Sequence, residues 1–178
     1  DDGSGAPYLT YLSTAQQERD DMRKKEKQVP SRAEVDVIIA GCEVCRLALA
    51  VDNEPYLVPL SFGYDGESIY LHTAHKGKKI DYFEANNRVC FEFERNVQFV
   101  DGGGDACEAT FSFESVIGYG TISELLDFDE TKRALSQITC QYSGPQSDFD
   151  FKEVARVRVW KIFIESVEGK RSPGPGAS

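Results

Sequence analysis

A mainly β fold, an antiparallel β-barrel with flanking helices, is what this sequence predicts, and three observations carry that reading. Apolar residues recur at period two in six separate stretches of the 178-residue chain. Turn chemistry such as Asp52-Asn53 and Asp65-Gly66 joins many of them as hairpins would. The helical stretches between them are few and short, which suits decoration of a barrel rather than a helical layer.

The elements follow in order. Residues 1–30 carry no sustained period and read as an N-terminal extension. Ser31-Arg32-Ala33-Glu34 is a capping-box signature, and Val35, Ile38 and Ile39 mark the buried face of a first helix that Gly41 ends. Cys45 to Val51 alternates large and small as a strand with one face on a core. Pro55 to Phe62 is a second strand, and Pro59, which cannot donate to a ladder, places it at an edge or a bulge. Asp65-Gly66 closes a hairpin into the strand that begins at Ile69. Arg88 to Glu94 is a fourth strand, with Val89, Phe91 and Phe93 on one face. Gly102-Gly103-Gly104 is a turn. A long strand follows over Thr110 to Leu125, and its Gly118 and Gly120 call for a bulge or a close approach to a ligand. Asp129 to Tyr142 is helical, with Leu135 and Ile138 inward. Val154 to Val167 is the last strand, with Val157, Val159 and Lys161 alternating against Arg158, Trp160 and Ile162. The domain is expected over residues 31–168, and 169–178, rich in Gly, Pro and Ser, as a flexible tail.

Thirty acidic against twenty basic residues give a net charge of -10, which argues against general binding of nucleic acid or anionic membranes. No apolar run has the length of a membrane span, and five irregularly spaced cysteines fit a reducing cytoplasm better than a disulfide framework. Cys42 and Cys45 form a lone C-x-x-C with no second pair to complete a zinc site, so no metal is expected.

Against this acidic background the stretch from Ile69 to Asn87 stands out. It starts as a strand and ends as a helix, and between them lie both histidines, His72 and His75, and the run Lys76-Gly77-Lys78-Lys79. A strand that passes through glycine into a helix start offers free backbone N–H groups and positive partial charge. With Lys78 and Lys79 beside it, that start suits a phosphate; the competing reading is a solvated basic turn.

The order of the motifs adds a resemblance. Cys45-Arg46-Leu47-Ala48-Leu49, Val58-Pro59-Leu60-Ser61-Phe62-Gly63-Tyr64, Ile69-Tyr70-Leu71-His72-Thr73-Ala74, Gly77-Lys78-Lys79, Asn87-Arg88-Val89-Cys90-Phe91-Glu92 and Ser115-Val116-Ile117-Gly118-Tyr119-Gly120 occur in succession. That succession resembles the FMN-binding split barrel of the pyridoxamine phosphate oxidase-like proteins, and within it the nitroimidazole-resistance (Nim) group. The resemblance implies a homodimer with FMN in a cleft between subunits. It implies that Thr73, Lys78 and Lys79 hold the phosphate, and that the backbone of Val58, Pro59 and Leu60 borders the isoalloxazine ring. It places His72 near the flavin as the catalytic candidate, Ser115 and Val116 on a flanking strand, and Trp160 within reach from the last strand.

Each assignment has a structural alternative. Trp160 also suits a core or interface aromatic and His72 a strand-end histidine; Arg46 is placed near the phosphate or, equally, as a partner for a nearby acid. The parent oxidase's C-terminal Arg-x-His is absent around Arg156 and Arg158, so synthesis of pyridoxal phosphate is not expected. The expected activity is an FMN-dependent reduction of a small nitroaromatic acceptor. The alternatives are a non-catalytic flavin-binding or storage protein, and a haem- or deazaflavin-binding relative on the same barrel.

Overall fold

The structure, a computed structural model, describes residues 25–104, 107, 109–144 and 150–172. A short 3-10 turn, Lys25–Lys27, leads into α1, Arg32–Ala40. Strands β1 (Cys45–Val51), β2 (Glu54–Leu60), β3 (Gly63–Tyr64) and β4 (Ser68–Thr73) follow. Helix α2 (Lys78–Ala85) separates them from β5 (Arg88–Val100) and β6 (Thr110–Glu124). Helices α3 (Phe128–Ser143) and α4 (Phe151–Val154) precede β7 (Arg158–Ser172).

All seven strands form one sheet in the order β2-β1-β5-β6-β7-β4-β3 with antiparallel pairing. β2 and β3 stand at its two ends, yet only Ser61 and Phe62 separate them in the chain. Three peptide steps reach about 11 Å at most, whereas six strand spacings on a flat sheet would cover about 29 Å. The sheet must therefore curl until its ends approach, which makes a barrel. Its interior holds the apolar faces of β1, β4, β5 and β7 and the β2–β3 connection: Leu47, Phe62, Leu71, Phe91, Phe93 and Ile162 are each fully enclosed. Helices α1 and α2 contribute Ile38, Ile39, Ile80 and Phe83 to the same core.

A second cluster lies on the outside. Trp160 belongs to the inner core, and its neighbour Val159, pointing the other way, packs with Ala134, Leu135 and Ile138 of α3. The alternation expected for the last strand is thus present, with both faces covered.

Several expectations are corrected. The last strand does not begin at Val154; residues 151–154 form α4, whose capping pair is Asp150 and Glu153, and pairing starts at Arg158. Nor does order stop at 168, because β7 pairs with β6 through Ser172, opposite Phe113. Gly169 is buried against Val29, where a side chain would clash, so the Gly-rich composition there reflects close packing. The N-terminal extension likewise meets the barrel before residue 31: Gln28 bridges Lys170 and Val29 is buried. Residues 1–24 and 173–178 lie outside the described residues.

Gly118 and Gly120 resolve between their two readings. The β6–β7 register shifts between Tyr119 and Gly120, and a Cβ on Gly118 would stand 2.2 Å from the Phe91 ring. They serve a bulge and core packing. Pro59 lies on β2, an edge strand, as its missing donor requires. No helix among the described residues is long and apolar enough to cross a membrane.

Candidate functional site

The lysine turn is built by a helix that starts without a cap. Ser31 accepts the Glu34 N–H at the start of α1, and Asp127 accepts the Glu130 N–H at the start of α3. Helix α2 starts at Gly77, which has no side chain to do this and sits at φ 144°, a value L-residues rarely adopt. Where its Cβ would stand there is open space. The N–H groups at the very start of α2 thus have no side-chain cap, and the positive end of the helix lies at this turn.

Lys78 is exposed, and its Nζ lies 4.9 Å from the centroid of the Tyr56 ring and 5.6 Å from that of Tyr82. The two rings pack together at 5.2 Å. A cation held over two aromatic faces is confined while its N–H donors stay available. Tyr56 lies on β2, so this contact brings the lysine turn onto the edge strand, two residues from Val58. Val58 and Leu60 lean on the core, and Pro59 is exposed on the outer face. Tyr82 was readable as the residue four after Lys78 on a helix; Tyr56 carried no local signal, because only the fold brings it there.

Other expected residues are placed differently. Thr73 is buried: its hydroxyl accepts the indole N–H of Trp160 at 3.0 Å and donates to the Ala74 carbonyl. Trp160 is 3% exposed, with Phe83 against one part of the ring and the Arg158 guanidinium over it. The reason is parity. Trp160 pairs with Leu71, and both point inward, so this indole reaches the core and Thr73 rather than an external ligand. Arg158 is itself bound by Glu84 and Glu124.

His72 points outward, opposite to Leu71 and Thr73, and keeps solvent access. Crowding by its neighbours pulls its pKa below the ordinary 6.5. The imidazole is therefore mainly neutral at pH 7 and offers one N–H and one lone pair. His75 bonds the Ala155 carbonyl instead.

Ser115 and Val116 lie three strands from β2, about 14 Å along the sheet. Val116 is fully enclosed, and Ser115 lies on the outer face between Glu94 and Lys170. One chain does not bring them together with the lysine turn. The outer face exposes Leu57 60%, Ile117 49% and Tyr119 48% on β2 and β6, with the Arg46–Glu92 ion pair between them, and Phe163 61% on β7 beyond. Arg46 takes the second of its two readings and pairs with Glu92 at 2.9 Å.

The cysteine pair is structural. Cys42 donates to the Ile38 carbonyl and Cys45 begins β1 in full burial, which pushes the Cys42 thiol up to about 11 and Cys45 higher still. Among the described residues no three His, Cys, Asp or Glu side chains converge as a metal set.

Curled sheet and edge strand together define an antiparallel split barrel, with an uncapped helix start at the lysine turn. The family model for pyridoxamine 5'-phosphate oxidase matches residues 31–171, and the chain belongs to that family. The fold is similar to a candidate 5-nitroimidazole antibiotic resistance protein of Bacteroides thetaiotaomicron, at 27% identity and a TM-score of 0.72 over 80% of this chain and 85% of that one. It is similar to a FAD-binding protein of Mesorhizobium loti, at 26% identity and a TM-score of 0.58 over 83% of this chain and 98% of that one. The FAD- and haem-binding protein of Mycobacterium smegmatis shares the fold at 20% identity, with a TM-score of 0.72 over 83% of this chain and 74% of that one. In sequence the chain is 33% identical over 75 residues to an uncharacterised protein of Rhizobium meliloti (strain 1021), a match that spans 40% of this chain and 49% of that protein.

Proposed function

We propose that this chain is an FMN-dependent reductase of small nitroaromatic acceptors that works as a homodimer. The observation that carries the reading is the start of α2: uncapped, open, cationic, and set against a free strand edge. Those features fit a flavin phosphate. Lys78 and Lys79 would hold it with the first N–H groups of α2, and the edge of β2 at Val58, Pro59 and Leu60 would border the ring system. Thr73 contributes here by its backbone and by fixing Trp160, not by its hydroxyl.

The homodimer explains why the site is divided. The outer face of Leu57, Ile117, Tyr119 and Phe163 is the surface a second copy would cover. Pairing would carry the Ser115 strand of one subunit toward the lysine turn of the other.

Bound FMN would supply the electron chemistry, by hydride or single-electron transfer. The protein's part is orientation and protons. Reduction of a nitro group consumes protons as well as electrons, and His72, outward on the strand that feeds the lysine turn, can deliver one from an imidazole nitrogen. Its depressed pKa means that the charged donor is scarce at pH 7 and grows as pH falls.

The test has two stages. The absorption spectrum of purified protein separates flavin from haem and deazaflavin. Chemically reduced, anaerobic protein is then mixed with a nitroimidazole and followed at the nitro absorption band. Flavin bands with nitroimidazole consumption support the proposal; flavin without consumption leaves the non-catalytic flavin-binding reading, and haem bands overturn the cofactor.

A further inference from the structure

A separate groove of about 280 Å³ runs along the outside of the barrel, where α3 lies across β4 and β7. Leu125 and the Tyr70 ring supply its apolar lining. Helix α3 lines it with Glu130, Arg133, Ala134 and Gln137 at helical spacing. Lys161, the residue paired with Tyr70 across the β4–β7 ladder, holds its Nζ 5.9 Å from the centre of the Tyr70 ring.

Charge in this groove is unequally committed. Asp65 is fully used: one carboxylate oxygen accepts the Glu67 and Ser68 N–H groups, and the other accepts the Tyr70 hydroxyl at 2.7 Å. Arg133 and Lys161 have no carboxylate partner among the described residues. Both cations line the groove beside Asp65, whose carboxyl Lys161 helps to hold low. Glu130, in the first turn of α3, leaves its carboxylate in the same lining.

We propose that this groove binds a small organic monocarboxylate, with the carboxylate between Arg133 and Lys161 and the apolar body on Leu125 and the Tyr70 ring. Arginine and lysine supply charge-assisted donors, and the apolar lining removes apolar surface from water. Glu130 and Asp65 cancel a second negative charge, so a dianion is disfavoured. The volume suits a single-ring acid, since it equals roughly nine waters at about 30 Å³ each. The groove is lined by none of the residues assigned to the flavin phosphate, and the proposal stands independently of the flavin reading.

Benzoate is the probe, titrated by calorimetry into the full chain as purified, with benzamide and phthalate as controls. Saturable benzoate binding is expected, with benzamide and phthalate each at least about tenfold weaker. Arg133→Gln and Lys161→Gln should each weaken benzoate about tenfold or more, the loss of one charge-assisted bond. Both side chains reach solvent, so circular dichroism should be unchanged in both variants. Lys78→Ala/Lys79→Ala should leave benzoate binding intact. The assignment is overturned by absence of saturable binding, by affinity indifferent to both groove variants, or by loss of binding in the Lys78/Lys79 variant. Phthalate binding more tightly than benzoate would overturn the monoanion selectivity.

Discussion

The starts of α1 and α2 are two versions of one problem. Every helix begins with N–H groups that lack an intrahelical acceptor. At α1 the chain answers locally: Ser31 accepts the Glu34 N–H, and the Ser31 hydroxyl lies 3.3 Å from the Glu34 carboxylate. At α2 it places Gly77, which offers no side-chain acceptor, with Lys78 over Tyr56 and Tyr82 beside it. The first arrangement stabilises the fold by itself; the second gives up that stability, and the proposed function gives it a phosphate to hold. Asp127 at α3 and Asp150 at α4 repeat the first solution, so α2 departs from the habit of its own chain.

This contrast can be broken most sharply at α2. Lys78→Ala/Lys79→Ala removes two charge-assisted bonds of about 1.5–3 kcal/mol each. Flavin affinity should fall by roughly two to four powers of ten. Circular dichroism should be unchanged while the protein purifies colourless. Wild-type flavin occupancy in that variant would end the phosphate assignment.

His72 tests whether the outward side of β4 takes part in chemistry. His72→Gln should keep the flavin and slow nitro reduction by about 10²–10⁴-fold, the usual contribution of general acid catalysis. In the wild type the rate should climb as pH falls through the depressed His72 pKa, below 6.5. The variant should lose that limb. Equal rates and equal pH profiles would remove His72 from the mechanism.

A smaller effect belongs to the capped helices. Ser31→Ala or Asp127→Ala should each cost about 1 kcal/mol in denaturant unfolding. Neither should change flavin affinity, because those helix starts serve only the fold. A loss of flavin in Ser31→Ala comparable to that in the lysine variant would erase the distinction between the two ends.

The smallest effect concerns pH and stability. Burial favours neutral His72, so the folded state binds its proton less readily than the unfolded chain does. Stability from this residue is present above the unfolded value near 6.5 and is lost as pH falls through it. Wild type and His72→Gln should therefore diverge in melting temperature below pH 6.5 and run parallel above it.

What the sequence settled by itself was local and periodic. Val89, Phe91 and Phe93 alternate because a pleated strand has period two, and they are buried as that pattern demands. Ser31-x-x-Glu34, Asp65-Gly66 and Gly77-Lys78-Lys79 each act within a few residues, so their geometry follows from their own chemistry. Pro59 announced an edge or a bulge because it lacks a donor. Trp160 and Thr73 were another matter. Their direction depends on the inward parity of β7 opposite Leu71, and residue type does not encode that parity. Tertiary structure alone joined Tyr56 to Lys78 across 22 residues of chain, closed the sheet through Ser61 and Phe62, and carried β7 on to Ser172. Each of these rests on which surfaces meet, and a contact between distant segments leaves no signature in either segment until the chain has folded.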